Sequence, residues 1–461
     1  MGQLTQEVDL LVIGGGPGGY HAAFRAAQHG IRTTIVDAEP GLGGVCLHRG
    51  CIPSKTYLSL AETIHAAKQV KTMGVHFGDP TIDLAAVRKW KQQVLEKLIA
   101  GLDMMSKKFG VERIRGRARF EDDRHVSIEG AEVPRIKFRR AIIATGSRSI
   151  TLKGIQPDSP RVLSSRTALD LEELPKTLLV VGGGYIGLEL GQVFAAFGSN
   201  VTVVEMTDGL LPGVDRDLVR PLAARLESDF EQICVSTRVT GMKATKSAVE
   251  VTFDGKNPPK RKRFARVLVA VGRRPNTENL GLQRAGVQLD ERGFIKVDEG
   301  FATTASGIYA IGDVIGNPML AHKAMHEGTV LADRLAGKKA VFEPRAIPAV
   351  VFTDPAIAWA GLTESEAKQA GRNVEVKKMP WSASGRAVSL GRTDGLTKLI
   401  VDKDGGRLLG VGMTGVHAGE MIAEGVLAME MGAVPYDLAA TIHPHPTLSE
   451  TIYETASLFG H

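Results

Sequence analysis

One pattern constrains the fold of this chain above all others, because it occurs twice. Asp9-Leu10-Leu11-Val12-Ile13 runs into Gly14-Gly15-Gly16-Pro17-Gly18-Gly19, and Thr177-Leu178-Leu179-Val180-Val181 runs into Gly182-Gly183-Gly184-Tyr185-Ile186-Gly187. In each copy an apolar strand meets G-x-G-x-x-G, and a helical stretch follows that should end near Gly30 or Gly198. A β-branched strand comes next, at 33–36 and 201–204, closed by Asp37 and Glu205 at the same spacing from the first glycine. The first glycine permits the tight turn, the second lets backbone approach a pyrophosphate, and the third lets helix pack on strand. The helix N-terminus offers unsatisfied N–H groups to phosphate, and the acid accepts from ribose hydroxyls. A single glycine fingerprint is weak evidence. Strand, helix and correctly placed acid, present twice, predict two dinucleotide-binding α/β units with parallel sheets.

Directly after the first acid comes Gly43-Gly44-Val45-Cys46-Leu47-His48-Arg49-Gly50-Cys51-Ile52-Pro53-Ser54-Lys55. Two cysteines beside a nucleotide site suggest electrons moving between a dinucleotide and a disulfide. The chain has only three cysteines, too few for a secreted disulfide framework and too few for a four-cysteine metal site, so no metal is expected. The third, Cys234, lies in Phe230-Glu231-Gln232-Ile233-Cys234-Val235 and reads as inert core.

The rest of the chain is organised around these two units. At 461 residues, about three domains are expected. Two buried strands ending at glycine, Arg140 to Gly146 and Arg266 to Gly272, close the nucleotide units. After Arg274-Pro275-Asn276 the chain returns towards the first unit, where Gly312-Asp313 ends a short strand and offers a carboxylate to a cofactor hydroxyl. In 83–109, Leu84, Val87, Trp90, Val94, Leu98, Leu102 and Met105 fall on one helical face and predict a core-facing helix. The run Lys260-Arg261-Lys262-Arg263 follows Asn257-Pro258-Pro259 and has no interleaved aromatics. It predicts a solvated hairpin turn rather than a nucleic-acid site, despite the net charge of +6. No apolar run approaches the ~20 residues of a membrane span, and a strand is expected by about Asp9, leaving no room for a leader. A soluble cytoplasmic protein is expected, or a matrix protein if a transit peptide has been removed. Near the end stands Thr441-Ile442-His443-Pro444-His445-Pro446-Thr447-Leu448-Ser449-Glu450. His445 with Glu450 fits a base oriented by a carboxylate, though that spacing alone is weak. His443 is expected to be structural or to support the site from behind His445.

With these residues in view, the chain resembles the flavoprotein disulfide reductases over its whole length. The resemblance is carried by both fingerprints, the Gly-Gly-Val-Cys-x4-Cys-Ile-Pro-Ser-Lys segment, Ala144-Thr145-Gly146-Ser147, Val271-Gly272-Arg273-Arg274-Pro275-Asn276, Gly312-Asp313, Leu320-Ala321-His322-Lys323-Ala324 and His-Pro-His-Pro-Thr-Leu-Ser-Glu. It implies an α/β fold with two Rossmann-like domains, the NAD domain inserted in the FAD domain, and an α+β C-terminal dimerisation domain. The boundaries would be 1–148, 149–273, 274–344 and 345–461.

The resemblance further implies FAD held through Gly14, Gly16, Gly19, Asp37, Lys55, Ala118, Gly146, Asp313 and Ala321. NAD would be held through Gly182, Gly184, Gly187, Glu205 and Gly272. Glu205 favours NAD on physical grounds too, since a 2′-phosphate would meet a carboxylate and Met206-Thr207-Asp208-Gly209 supplies no arginine. The family pattern makes Cys46 the interchange thiol and Cys51 the flavin-side thiol, pairs Lys55 with Glu189, and places His445 and Glu450 in the other subunit's site. A homodimer and a cis His445–Pro446 bond are then expected. His48 stands where the family more often has asparagine, and is expected to bond a loop carbonyl rather than perturb a thiol. The implied reaction is NAD-linked oxidation of dihydrolipoyl groups, with a lipoyl domain and acyltransferase core, or a lipoyl carrier protein, as partner and no nucleic acid or membrane. The alternatives are a sister disulfide reductase and a docking subunit whose presence organises a complex.

Overall fold

The computed structural model describes residues 5–255 and 259–460. The chain divides into two compact units. One comprises the stretches up to Thr56, Ala85–Ile150 and Gly272–Glu343; the other comprises Tyr57–Leu84, Thr151–Val271 and everything from Pro344. No helix among the described residues is long and apolar enough to cross a membrane.

The first unit opens with β1 (Thr5–Ile13), α1 (Pro17–Gln28) and β2 (Thr33–Asp37), then α2 (Gly44–Arg49), α3 (Cys51–Gln69), whose first turn belongs here, and α4 (Leu84–Lys108). Four strands follow: β3 (Glu112–Arg115), β4 (Arg117–Phe120), β5 (His125–Glu129) and β6 (Arg135–Ile143). Their sheet runs β3-β2-β1-β6-β5-β4, with the returning strand Ile308–Ala310 parallel to β6. β3, β2, β1 and β6 are parallel, whereas β4, β5 and β6 form an antiparallel meander. The parallel strands are covered on both faces, so they read as continuous apolar runs: Leu10, Leu11, Val12 and Ile13 are all buried.

The second unit repeats the plan. Gln232–Cys234, Asn200–Val204, Thr177–Val181, Arg266–Val269 and Val162–Leu163 form an all-parallel sheet in that order, beside an antiparallel three-stranded sheet. Its C-terminal part is a five-stranded antiparallel sheet from Ala349–Val351 to Leu408–Gly415, with Ala418–Met431 packed on it. Cys234 is buried at the end of its strand, and burial raises its thiol pKa, as an inert core cysteine requires.

Two expectations are corrected. α4 forms over the stretch foreseen, but its stripe is not core: only Leu95 and Ser106 are buried, while Trp90, Leu98 and Met105 are exposed. A periodic apolar face shows that a helix has something to bury, not that the cover lies in the same chain. The basic run is not simply a solvated turn. Arg261–Phe264 is a strand, Lys262 pairs with Glu231 at 2.8 Å, and Arg261 and Arg263 flank Glu250 at 3.3 and 3.5 Å. The turn expected at Asn257-Pro258 lies outside the described residues.

Buried charge holds the second unit together. Lys398, 1% exposed, sits among Asp215 (2.6 Å), Asp217 (2.9 Å) and Glu364 (2.9 Å), so the one convergent carboxylate triad among the described residues closes on an ammonium group. Asp354 is a second hub, ion-paired with Arg392 and flanked by His65 at 3.3 Å and Arg225 at 3.8 Å. Burial pushes the Asp354 carboxyl up, but the His65 ring and the two guanidinium groups outweigh it and hold the group at about 2. The folded value lies below the unfolded one of ~3.9, so this stabilisation is complete above pH ~4 and lost as pH falls towards 2. Asp354→Asn is expected to cost about 3–5 kcal/mol at neutral pH by orphaning buried guanidinium charge. It should also flatten the acid limb of stability against pH; denaturant melts from pH 7 to 2 that superimpose on wild type would refute this.

Candidate active site

Both nucleotide loops obey the same steric rule. Gly14 (φ +107°) and Gly182 (φ +109°) end their strands in a conformation L side chains avoid, and a Cβ on either would strike the carbonyl of Ala144 or Ala270. A Cβ on Gly19 or Gly187 would strike the carbonyl of Gly14 or Gly182, so only glycine lets each helix close on its strand. Asp37 Oδ2 accepts from Gly15 N, and Glu205 Oε2 accepts from Gly183 N at 2.7 Å. Each acid's other oxygen also works locally: Asp37 Oδ1 takes Glu39 N at 2.8 Å, and Glu205 Oε1 takes Thr207 N at 2.7 Å.

The helices that follow suit pyrophosphate. α1 begins after Gly16 and the helix Tyr185–Phe197 after Gly184; neither has a side-chain cap or an acid in its first turn. Each first turn therefore presents backbone N–H groups and a positive dipole end with no acid to repel a phosphate. A Cβ on Gly184 would meet nothing within 4 Å, leaving room for a ligand against the backbone. Arg216, the next arginine in sequence after Glu205, is engaged elsewhere, donating to the carbonyls of Leu210, Leu211 and Val214.

Several residues around the first nucleotide site were given no role from sequence, although Ser147, Arg273 and Lys323 stand in its motifs. Ser147 Oγ donates to Asp313 Oδ2, Arg273 Nε reaches that hydroxyl at 2.7 Å, and the guanidinium lies 3.8 Å from the same carboxylate. Lys323 and Glu327 form an almost fully buried pair at 2.9 Å, and Glu327 accepts from Gly312 N at 2.7 Å. Burial raises the Glu327 carboxyl, partly offset by Lys323. Their four-residue spacing on the helix Ala321–Leu335 was the available signal. Ala118 is buried in β4, Ala321 opens that returning helix, and Gly146 has φ +69°. Gly272, expected among the NAD contacts, has φ +122° and accepts from Ile150 N at 3.0 Å.

The cysteines lie at the junction of two helices. Cys46 is in α2, and Cys51 opens α3, at the end where a helix dipole favours a thiolate. The two sulfurs are not joined by a disulfide here, and Cys51 is the more exposed. The Cys46 thiol is pushed up, first by its hydrogen bond with Cys51 and then by burial, with Lys55 pulling the other way. His48 bonds the Gly41 carbonyl through Nε2 at 3.1 Å, as expected of a loop-pinning residue. In the second unit, Glu189 is buried and accepts from Phe352 N at 3.0 Å.

His445 and Glu450 come together as the motif required. His445 Nδ1 stands 2.9 Å from Glu450 Oε1, after a cis His445–Pro446 bond. Glu450 is held below the usual carboxylate range, first by Thr447 N and then by the His445 ring. A carboxylate on Nδ1 leaves Nε2 for proton transfer, and the His445 side chain is 79% exposed. The His443 side chain is largely covered, with Nε2 on Glu424 at 2.7 Å and Nδ1 on the Thr441 carbonyl at 2.8 Å, a structural role.

Residues 8–328 match the family described as pyridine nucleotide-disulphide oxidoreductase, and 347–456 match its dimerisation domain. The chain belongs to this family. Among its relatives are the dihydrolipoyl dehydrogenases of Vibrio cholerae, 44% identical over 98% of this chain and 96% of that protein, and of Thermus scotoductus, 46% identical over 97% and 96%. Among solved structures, LpdA of Mycobacterium tuberculosis superposes with a TM-score of 0.90 at 29% identity, covering 98% of this chain and all of that one. The flavoprotein disulfide reductase RclA of Escherichia coli gives 0.88 at 28%, covering both chains fully. For a pyridine nucleotide-disulphide oxidoreductase, the two uncapped glycine loops and the thiol pair are the fitting equipment.

Proposed function

We propose that the protein oxidises dihydrolipoyl groups carried by the acyltransferase core of a 2-oxoacid dehydrogenase complex or by a lipoyl carrier protein, with NAD as acceptor. The observation that carries this reading is the Cys46–Cys51 pair following the first nucleotide loop, in a chain 44–46% identical to named dihydrolipoyl dehydrogenases over nearly its full length. FAD would be held by Gly14, Gly16, Gly19, Asp37, Lys55, Ala118, Gly146, Asp313 and Ala321, and NAD by Gly182, Gly184, Gly187, Glu205 and Gly272. Bound FAD supplies the two-electron relay from thiols to nicotinamide.

The chain's own residues handle sulfur and protons. A substrate thiolate attacks Cys46 Sγ in the Cys46–Cys51 disulfide; that bond breaks, Cys51 leaves as thiolate, and a mixed disulfide forms. The second substrate thiol gives its proton to His445 Nε2 and attacks the substrate sulfur of the mixed disulfide. The lipoyl ring closes and Cys46 is released carrying the electron pair. Glu450 stabilises the imidazolium. Lys55 and Glu189 are proposed as the pair supporting the flavin side of Cys51.

The unit of function is a homodimer, with His445 serving the cysteines of a second copy. In support, Leu427, Met431, Tyr436 and Ile442 are exposed in the same C-terminal region, and Ile442 is 96% exposed. An apolar group of that kind needs a cover. Three cysteines, too few for a structural disulfide framework, suit a reducing compartment, and the cytoplasm is proposed.

The test is NADH formation from dihydrolipoamide by the FAD-loaded protein. Turnover on the order of 10–10³ s⁻¹ is expected, with kcat/KM for NADP lower by at least about 10² because a 2′-phosphate would face Glu205. A flavin-loaded dimer without turnover would move the assignment to another disulfide substrate.

A further inference from the structure

Two contacts that involve neither sulfur grip the segment between the cysteines. Arg49 pairs through Nη2 with Glu39, and His48 Nε2 donates to the Gly41 carbonyl at 3.1 Å. Both partners belong to the short loop after β2, and that loop is itself fixed. Asp37 holds Glu39 N at 2.8 Å, Gly43 N donates to the Gly15 carbonyl at 2.7 Å, and Gly44 lies so near Gly16 that a Cβ would come within 2.6 Å of its Cα. The Arg49 and Glu39 side chains are 21% and 30% exposed, so the pair is partly shielded from water. Gly50 completes the arrangement: a Cβ there would stand 2.8 Å from the Val45 carbonyl, so this backbone folds back on α2 just before Cys51.

We propose that Glu39, Arg49 and His48 are positioning residues that brace Cys46 against Cys51 and bias the pair towards the disulfide. This rests on the reading above that the two cysteines form a redox disulfide. Closing an S–S bond costs the conformational freedom of the residues between the sulfurs. A brace present in the dithiol has already removed part of that freedom. Cutting it lets the dithiol relax and favours the reduced pair. The arginine acts through its ion pair and the histidine as a donor, so Arg49→Lys and His48→Asn keep the brace, whereas Arg49→Met, Glu39→Gln and His48→Leu remove it.

The FAD-loaded protein, equilibrated anaerobically with dithiothreitol and its cyclic disulfide, is quenched by alkylation, and labelled Cys46 and Cys51 are counted by mass. Each reduction converts one dithiothreitol to its cyclic disulfide and delivers two electrons and two protons to the pair. Each brace-cutting variant is expected to shift the equilibrium three- to tenfold towards dithiol, ~15–30 mV more positive. Arg49→Lys and His48→Asn should stay within about twofold of wild type. Arg49→Met leaves the Asp37–Glu39 contact intact and serves if Glu39→Gln does not fold. Coincident titrations for all variants, or equal shifts in Arg49→Met and Arg49→Lys, would overturn the proposal. A wild-type pair that never forms a disulfide would instead overturn the proposed function.

Discussion

The Cys46→Ser protein is expected to lose NAD-linked oxidation of dihydrolipoamide by at least on the order of 10³-fold. A hydroxyl cannot enter a disulfide, so substrate electrons have no covalent route into the protein. Serine is close to cysteine in volume, and Cys46 lies in a short helix whose neighbouring contacts, Arg49–Glu39 and His48–Gly41, do not involve its sulfur. The melting temperature and FAD content should therefore stay near wild type. Electron transfer from NADH to ferricyanide, which needs no thiol, supplies the control. Loss of the dihydrolipoamide reaction with the ferricyanide reaction kept places the defect at the sulfur. Dihydrolipoamide oxidation that survives the substitution would remove the disulfide from the mechanism.

His445→Gln is expected to lower kcat by ~10² to 10⁴ while KM changes little, because the lost group moves a proton and does not hold the substrate. Glutamine keeps a polar side chain beside Glu450 but has no nitrogen that can take a proton from a thiol. Stopped-flow reduction of the enzyme by dihydrolipoamide, read beside steady-state kcat and KM, separates the two. A variant reduced as fast as wild type would assign proton transfer to another group.

The parts of the structure legible in the sequence were those whose physics is local. Gly14, Gly19, Gly182 and Gly187 could be read because each satisfies a steric demand set by backbone a few residues or one strand away. Asp37 and Glu205 could be read because strand length fixes their reach. His445 and Glu450 gained meaning only within their longer motif. What escaped depends on partners distant in the chain. Asp354 meets His65, Arg225 and Arg392, and Lys398 meets Asp215 and Glu364, through contacts no local pattern announces. α4 fails differently: its period was right, but periodicity does not say which surface provides the cover.

The double duty of the two strand-end acids carries a consequence for redesign. In each nucleotide loop the carboxylate that would read a ribose also ties down Gly15 or Gly183, between the first two fingerprint glycines, so one side chain sets both selectivity and loop shape. Cofactor preference here is not a detachable label. Exchanging Glu205 for a smaller or neutral residue, to admit a phosphorylated ribose, would also release Gly183 and Thr207. A switch of preference would have to be introduced around that residue, with the tether left standing.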